Sequence, residues 1–213
     1  MMKHRVLVYS ATRGVARLVF PLFYRIETEK EATLPVTGPL VILPKHQYWT
    51  DIPLVSLSFD LPLYFVAKNE LFRYPWIRTY LRLLGGLPVD REQSVRTLDS
   101  IRHLLTLLKA EERIVLFPEG TYFRGVVGSG KSRLIQLILR FQSELKQPIP
   151  FIPMGIRYGE RVGWRRRVRI QIGHPLYAET ESEAVAFTDR VMEEIRRLSG
   201  LPAVGRGLPG VGN

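Results

Sequence analysis

The stretch KHQYWTD at 45–51 places His46 and Asp51 five positions apart, directly after the apolar run VILP. DIPLVSLSF reads as a helix starting near Thr50, so a single turn of chain returns the carboxylate to the imidazole at a strand's exit. A carboxylate hydrogen-bonded to one ring nitrogen fixes the tautomer and supports positive charge, which leaves the other nitrogen to accept a proton. The segment holds no Ser or Cys, so the nucleophile such a base activates is an alcohol on the substrate. A structural His–Asp pair has the same spacing, and spacing alone leaves both readings open.

FPEGT at 117–121 adds a second group of polar residues. The apolar run RIVLF leads into it, which puts Glu119 and Thr121 at the carboxyl edge of a strand, where open α/β sheets bind ligands. Gly120 permits a left-handed turn or a close backbone approach. A third stretch, GVVGSGKS at 125–132, has the letters of a phosphate-binding loop: Gly125, then Gly130, Lys131 and Ser132. Such a loop joins a strand directly to a helix, so that its N–H groups wrap phosphates. The helix half is present in SRLIQLILRF, but residues 118–124 separate the loop from the preceding strand. No strand ending in a magnesium-binding Asp follows. A nucleotide-binding protein therefore stands as the weaker alternative, against a loop and helix start mildly attractive to anions through Lys131.

The elements that must position these groups read as short strands alternating with helices. Strand candidates are 38–43, 63–67, 86–89, 113–117, 149–156 and 168–173. Apolar residues recur at helical spacing through Val95 to Leu108, Leu134 to Phe141 and Ala184 to Leu198, the last preceded by a capping box at Thr180 and Glu183. This pattern predicts an α/β fold with a central, mostly parallel (mixed) sheet flanked by helices. The expected organisation is an N-terminal interfacial helix over 1–25, a folded domain carrying these motifs over 26–199 and a flexible Gly/Pro-rich tail over 200–213.

Composition narrows the partners. Zero cysteines exclude disulfides, thiolate metal sites and a Cys nucleophile. The excess of 31 Lys+Arg over 20 Asp+Glu, a net charge of +11, favours a polyanionic partner such as an anionic membrane or a phosphorylated substrate. No aromatic RNA-binding signature or DNA-reading motif accompanies the charge, so nucleic acid is not expected. In the N-terminal segment, Arg13 and Arg17 interrupt the apolar residues. Ser10, Arg13, Gly14, Arg17 and Pro21 form a narrow stripe on an otherwise apolar helix, a pattern suited to lying in a membrane interface rather than spanning it. Covering the core of its own domain is the other reading of this helix.

Taken together, the blocks resemble the glycerolipid acyltransferases, which include the 1-acylglycerol-3-phosphate acyltransferases. The resemblance rests on His-x4-Asp at 46–51 and FPEGT at 117–121, with GGLPVDR at 85–91 and FVAKNELFRYPW at 65–76 between them and IPFIPMGI at 149–156 beyond. It covers about residues 26–175. It implies that His46 is the general base and Asp51 its orienting partner. It further implies that Lys68, Arg91, Glu119, Gly120, Thr121 and Arg124 serve the acceptor, Arg91 by binding its phosphate. The acyl donor would be acyl-CoA or acyl-carrier protein as co-substrate, with no other cofactor and no metal. The acceptor would be a glycerol-phosphate lysolipid, first of all 1-acylglycerol-3-phosphate giving phosphatidate, with a different lysolipid as the alternative, and the enzyme would sit peripherally on the cytoplasmic face of an anionic membrane.

Three departures stand out. Lys45 replaces the Asn common before the His, and Tyr48 the small hydroxyl residue two after it. Tyr122 replaces the Arg that usually follows the Glu-Gly-Thr, with Arg124 two positions later. The basic run GWRRRVRIQIGHPL at 163–176 fits a solvated strand face, a membrane-facing patch or a site for the phosphates of coenzyme A.

Overall fold

The computed structural model describes residues 2–35, 37–89, 95–145 and 147–205. The chain opens with helix α1 (Met2–Phe23) and strand β1 (Tyr24–Lys30), then β2 (Leu40–Pro44), α2 (Asp51–Ser58) and β3 (Tyr64–Lys68). A 3₁₀ turn at Asn69–Phe72 leads to α3 (Pro75–Leu83) and β4 (Gly86–Val89), followed by α4 (Val95–Lys109) and β5 (Arg113–Val115). The remainder is α5 (Ser132–Leu145), β6 (Phe151–Val162), β7 (Arg165–Ile172) and α6 (Ala184–Ser199).

The seven strands form one sheet in the order β1-β7-β6-β2-β5-β3-β4. All neighbours are parallel except β6 and β7, an antiparallel hairpin. The mostly parallel mixed sheet flanked by helices is the architecture that the alternating pattern predicts. β2 shows why it sits centrally: all five of its residues are buried, so its side chains feed cores on both faces. Val41 and Leu43 face one core, with Leu108 of α4, Ile138 of α5 and Phe187 of α6. Leu40 and Ile42 face the other, with Leu54, Val55 and Phe59 from α2 and its end, and Phe20 of α1 at the margin.

β1 is absent from the sequence-based strand set because YRIETEK shows no apolar run. Its stability comes from across the sheet: Glu29 accepts from Arg169 at 2.9 Å, and Glu27 lies 3.6 Å from Arg167. Those two arginines of the basic run are thus charge-paired on a strand face. The capping box forms as the sequence indicates, with Thr180 and Glu183 reciprocally bonded on the 3₁₀ turn that enters α6.

In α1 the stripe that contains Arg13 does not face outward as a whole. Tyr9 is buried and shares a hydrogen bond with Ser56 (2.7 Å), while Arg13 turns onto the end of α2, donating to the carbonyls of Phe59 and Asp60. Leu7, Val15, Leu18, Leu22 and Phe23 are exposed instead. The helix is therefore polar-inward at Arg13 and apolar-outward. Among the described residues it is the one helix long and apolar enough to cross a membrane, over Val6–Phe23.

Candidate active site

β2 ends at Pro44 and delivers Lys45 and His46 to the carboxyl edge of the sheet. Asp51, fully buried, is the first residue of α2, and its Oδ2 accepts from the backbone N–H groups of Gln47 and Tyr48 as well as from His46 Nδ1 at 3.1 Å. A carboxylate so placed can only accept, so Nδ1 carries the proton and Nε2 keeps its lone pair. The imidazole is stacked on Phe117, with ring centres 3.8 Å apart, and leans on Tyr122 at 4.3 Å; its side chain is 12% exposed. The imidazole is thus oriented by Asp51 and held at a partly open surface.

Asp51 has a further partner that spacing does not reveal. Tyr158 of β6 donates its hydroxyl to Asp51 Oδ1 at 2.6 Å and shares a 2.7 Å contact with Thr50. Burial and the Asp51 charge push the Tyr158 phenol far above its usual range, so it stays a donor at any physiological pH. We expect Tyr158→Phe to lower kcat roughly tenfold and the thermal midpoint by several degrees, since a hydrogen bond to a charged group contributes about 1.5–3 kcal/mol and holds Asp51 in register. Steady-state kinetics beside a melting curve checks this; a full-rate variant would leave Tyr158 no positioning role.

Glu119 is 1% exposed and points inward, not toward the surface. Its oxygens lie 2.9 and 2.8 Å from Lys45 Nζ, and they also accept from His46 N at 2.9 Å and Gly128 N at 2.8 Å. Lys45, wholly buried, also reaches the carbonyls of His46 and Phe123. Burial holds the Lys45 pKa below the ordinary lysine value, and the Glu119 charge works against that shift. Gln47 completes the stitching by accepting from Gly125 N and donating to Ile156 O, each at 2.8 Å. Gly120, at φ 71°, makes the left-handed turn that lets the chain double back after Glu119. The FPEGT segment is thereby fixed against the strand that carries His46.

The same bonds remove the nucleotide alternative. Within GVVGSGKS, Gly125 N and Gly128 N are engaged as above, Val127 N donates to Pro202 O and Lys131 N to Pro118 O, both at 2.8 Å. Gly130 sits against Thr188 and Met192, where even a Cβ would come within 2.5 Å. Donors that already serve the fold cannot wrap a triphosphate. Neither the parent protein nor Lys131→Ala should bind ATP in equilibrium dialysis, and acyl transfer should be the same in both.

The other sequence-predicted residues are dispersed around this edge. Lys68 is exposed at the end of β3, and Thr121 is half-buried beside Tyr122. Arg124 is exposed with its guanidinium 5.2 Å from the Tyr48 ring centre. Arg91 lies outside the described residues. Sequence reasoning missed Arg166, whose guanidinium is 5.9 Å from the Tyr48 ring and 5.3 Å from that of Tyr158. Neither Arg124 nor Arg166 has an ion pair among the described residues, so two cations without a carboxylate partner border Tyr48, two positions from His46. The arginine run was the available signal for Arg166; nothing in the sequence marked Tyr158.

An α/β sheet whose central strand presents an Asp-oriented His, locked to an FPEGT loop, defines a class. The chain belongs to the glycerolipid acyltransferase family: the family model described as Acyltransferase matches residues 25–157. It is an acyltransferase, an enzyme that moves an acyl group from a donor to a lysolipid acceptor. It is similar to the 1-acyl-sn-glycerol-3-phosphate acyltransferase of Bacillus subtilis (strain 168), 24% identical over 90% of this chain and 96% of that one. The lyso-ornithine lipid O-acyltransferase of Rhizobium meliloti (strain 1021) is 30% identical over 67% of this chain and 44% of its own length. The crystal structure of the 1-acyl-sn-glycerophosphate (LPA) acyltransferase PlsC from Thermotoga maritima superposes with a TM-score of 0.67. At 24% identity it covers 91% of this chain and 80% of that one, and it supports the fold.

Proposed function

We propose that this protein moves a fatty acyl group from a thioester donor, acyl-CoA or acyl-carrier protein, to the free hydroxyl of 1-acylglycerol-3-phosphate. The observation that carries the reading is the His46 Nδ1–Asp51 bond, which leaves Nε2 as the accepting nitrogen. Nε2 takes the hydroxyl proton as the alcohol oxygen bonds to the thioester carbonyl carbon. Collapse of the tetrahedral intermediate breaks the C–S bond, and the proton on His46 goes to the departing thiolate. Asp51 stabilises the transient imidazolium. No acyl-enzyme is formed, consistent with a chain that has no cysteine.

Glu119 and Gly120 act here by positioning His46, while Arg124 and Arg166, with Lys68, Thr121 and Arg91, hold the acceptor's phosphate. Two guanidinium groups without a carboxylate partner among the described residues suit a phosphate dianion better than the zwitterionic head of an ornithine lipid. The outward apolar face of α1 rests on the membrane that carries the lipid substrates, and its inward face stays docked through Tyr9 and Arg13. Thiol release from acyl-CoA and from acyl-carrier protein, each with lysophosphatidate or lyso-ornithine lipid, tests the reading. Release that needs lysophosphatidate and His46 supports it; release only with lyso-ornithine lipid transfers the reading to that acceptor.

A further inference from the structure

Opposite the end of β2 stands Met154, yet β6 runs on to Val162 before turning, so the β6–β7 hairpin projects beyond the sheet's carboxyl edge. Its lower part walls the site through Tyr158 and Arg166. Its tip is Val162, Gly163, Trp164 and Arg165, with Gly163 at φ 65° opening the two-residue turn. Trp164 is 77% exposed, and its indole N–H donates to Leu22 O at 2.9 Å, which fastens the tip to the end of α1. There Leu18, Leu22 and Phe23 are exposed, so the tip sets an exposed indole beside the apolar face of α1.

Topology puts this surface and the base on one side. β1 is parallel to β7, β7 antiparallel to β6, and β6 parallel to β2, so β1 begins where β2 ends. Hence α1 finishes at the edge that presents His46. The charges agree with an anionic surface. Arg161, Arg165 and Arg166 have no carboxylate partner among the described residues, in contrast to Arg167 and Arg169, and Glu160 is the one acid between 157 and 169. An indole with guanidinium neighbours favours the headgroup layer, where its ring meets apolar chains and its flanks meet phosphates.

We propose that the hairpin tip is a second membrane contact, in which Trp164 enters the headgroup layer of an anionic bilayer beside α1 and orients the site toward the lipid. The proposal rests on the reading that α1 docks on a membrane. The stretch from Tyr158 to Val162 spans roughly 13 Å of strand, which keeps His46 near the interface when the tip lies within it.

The test uses the full chain as W49F/W76F, which leaves Trp164 as the sole tryptophan of three. Trp49 and Trp76 are both exposed, so the fold tolerates the exchange. With vesicles of phosphatidylcholine and phosphatidylglycerol, Trp164 emission should shift to the blue, become quenched by lipids brominated near the headgroup, and lose its access to iodide. In the otherwise unaltered chain, W164A should weaken vesicle binding about tenfold while acyl transfer to a water-soluble short-chain acceptor is retained. Vesicle-bound protein whose Trp164 remains open to iodide and untouched by bromine overturns the proposal, as does unchanged binding by W164A. Failure to bind vesicles at all overturns it together with the docking of α1. The soluble-acceptor assay on the same preparation then reports separately on the acyl-transfer reading.

Discussion

Replacing His46 by alanine should lower kcat/KM for acyl transfer about a thousandfold, the middle of the range a positioned general base supplies. The fold should survive, because what ties this segment down is backbone rather than imidazole. His46 N donates to Glu119 and His46 O accepts from Phe123 N, and neither bond involves the ring. The lost side chain leaves a gap beside Phe117 and Tyr122 at a partly open surface, which solvent can fill. A thermal midpoint within a few degrees of the parent, with release of thiol reduced to near background, is the expected pair of results. A variant that turns over at near-normal rate would mean that some other group takes the proton, and the mechanism above would fall.

The second large effect concerns stability. Glu119→Gln leaves the Lys45 ammonium in a wholly buried position without a counter-charge, and uncompensated buried charges cost about 3–5 kcal/mol. For a chain of this size that corresponds to a drop of roughly 10 °C in thermal midpoint. Lys45→Met should cost a similar amount, since it abandons a buried carboxylate. The double variant should lose clearly less than the two single losses added, because neither charge is then left alone. Denaturant melts of the four proteins give the coupling directly. Additive losses would show that the pair contributes no mutual stabilisation. Activity should fall in both single variants, since Glu119 also holds His46 N and Gly128 N.

What could be read from sequence alone was local. His46 and Asp51 lie within one strand exit and one helix start, so their spacing and the turn between them already imply that they meet. The alternation of apolar runs with helical periodicity indicated an α/β sheet, since burial on two faces writes itself into β2 as five consecutive apolar residues. The misplacement of GVVGSGKS relative to its strand was likewise visible before any contact was known.

The tertiary structure decided what depends on strand order and facing, which no local pattern encodes. Lys45 and Glu119 are 74 positions apart and become a buried pair because β2 and β5 are neighbours. Tyr158 reaches Asp51 across 107 positions because β6 flanks β2 on the other side. β1 has too few apolar residues to announce itself, and exists through its pairing with β7. Which face of α1 turns inward was equally undecided by periodicity: a helical stripe fixes which residues share a side, while the carbonyls of Phe59 and Asp60 at the end of α2 draw the Arg13 guanidinium inward.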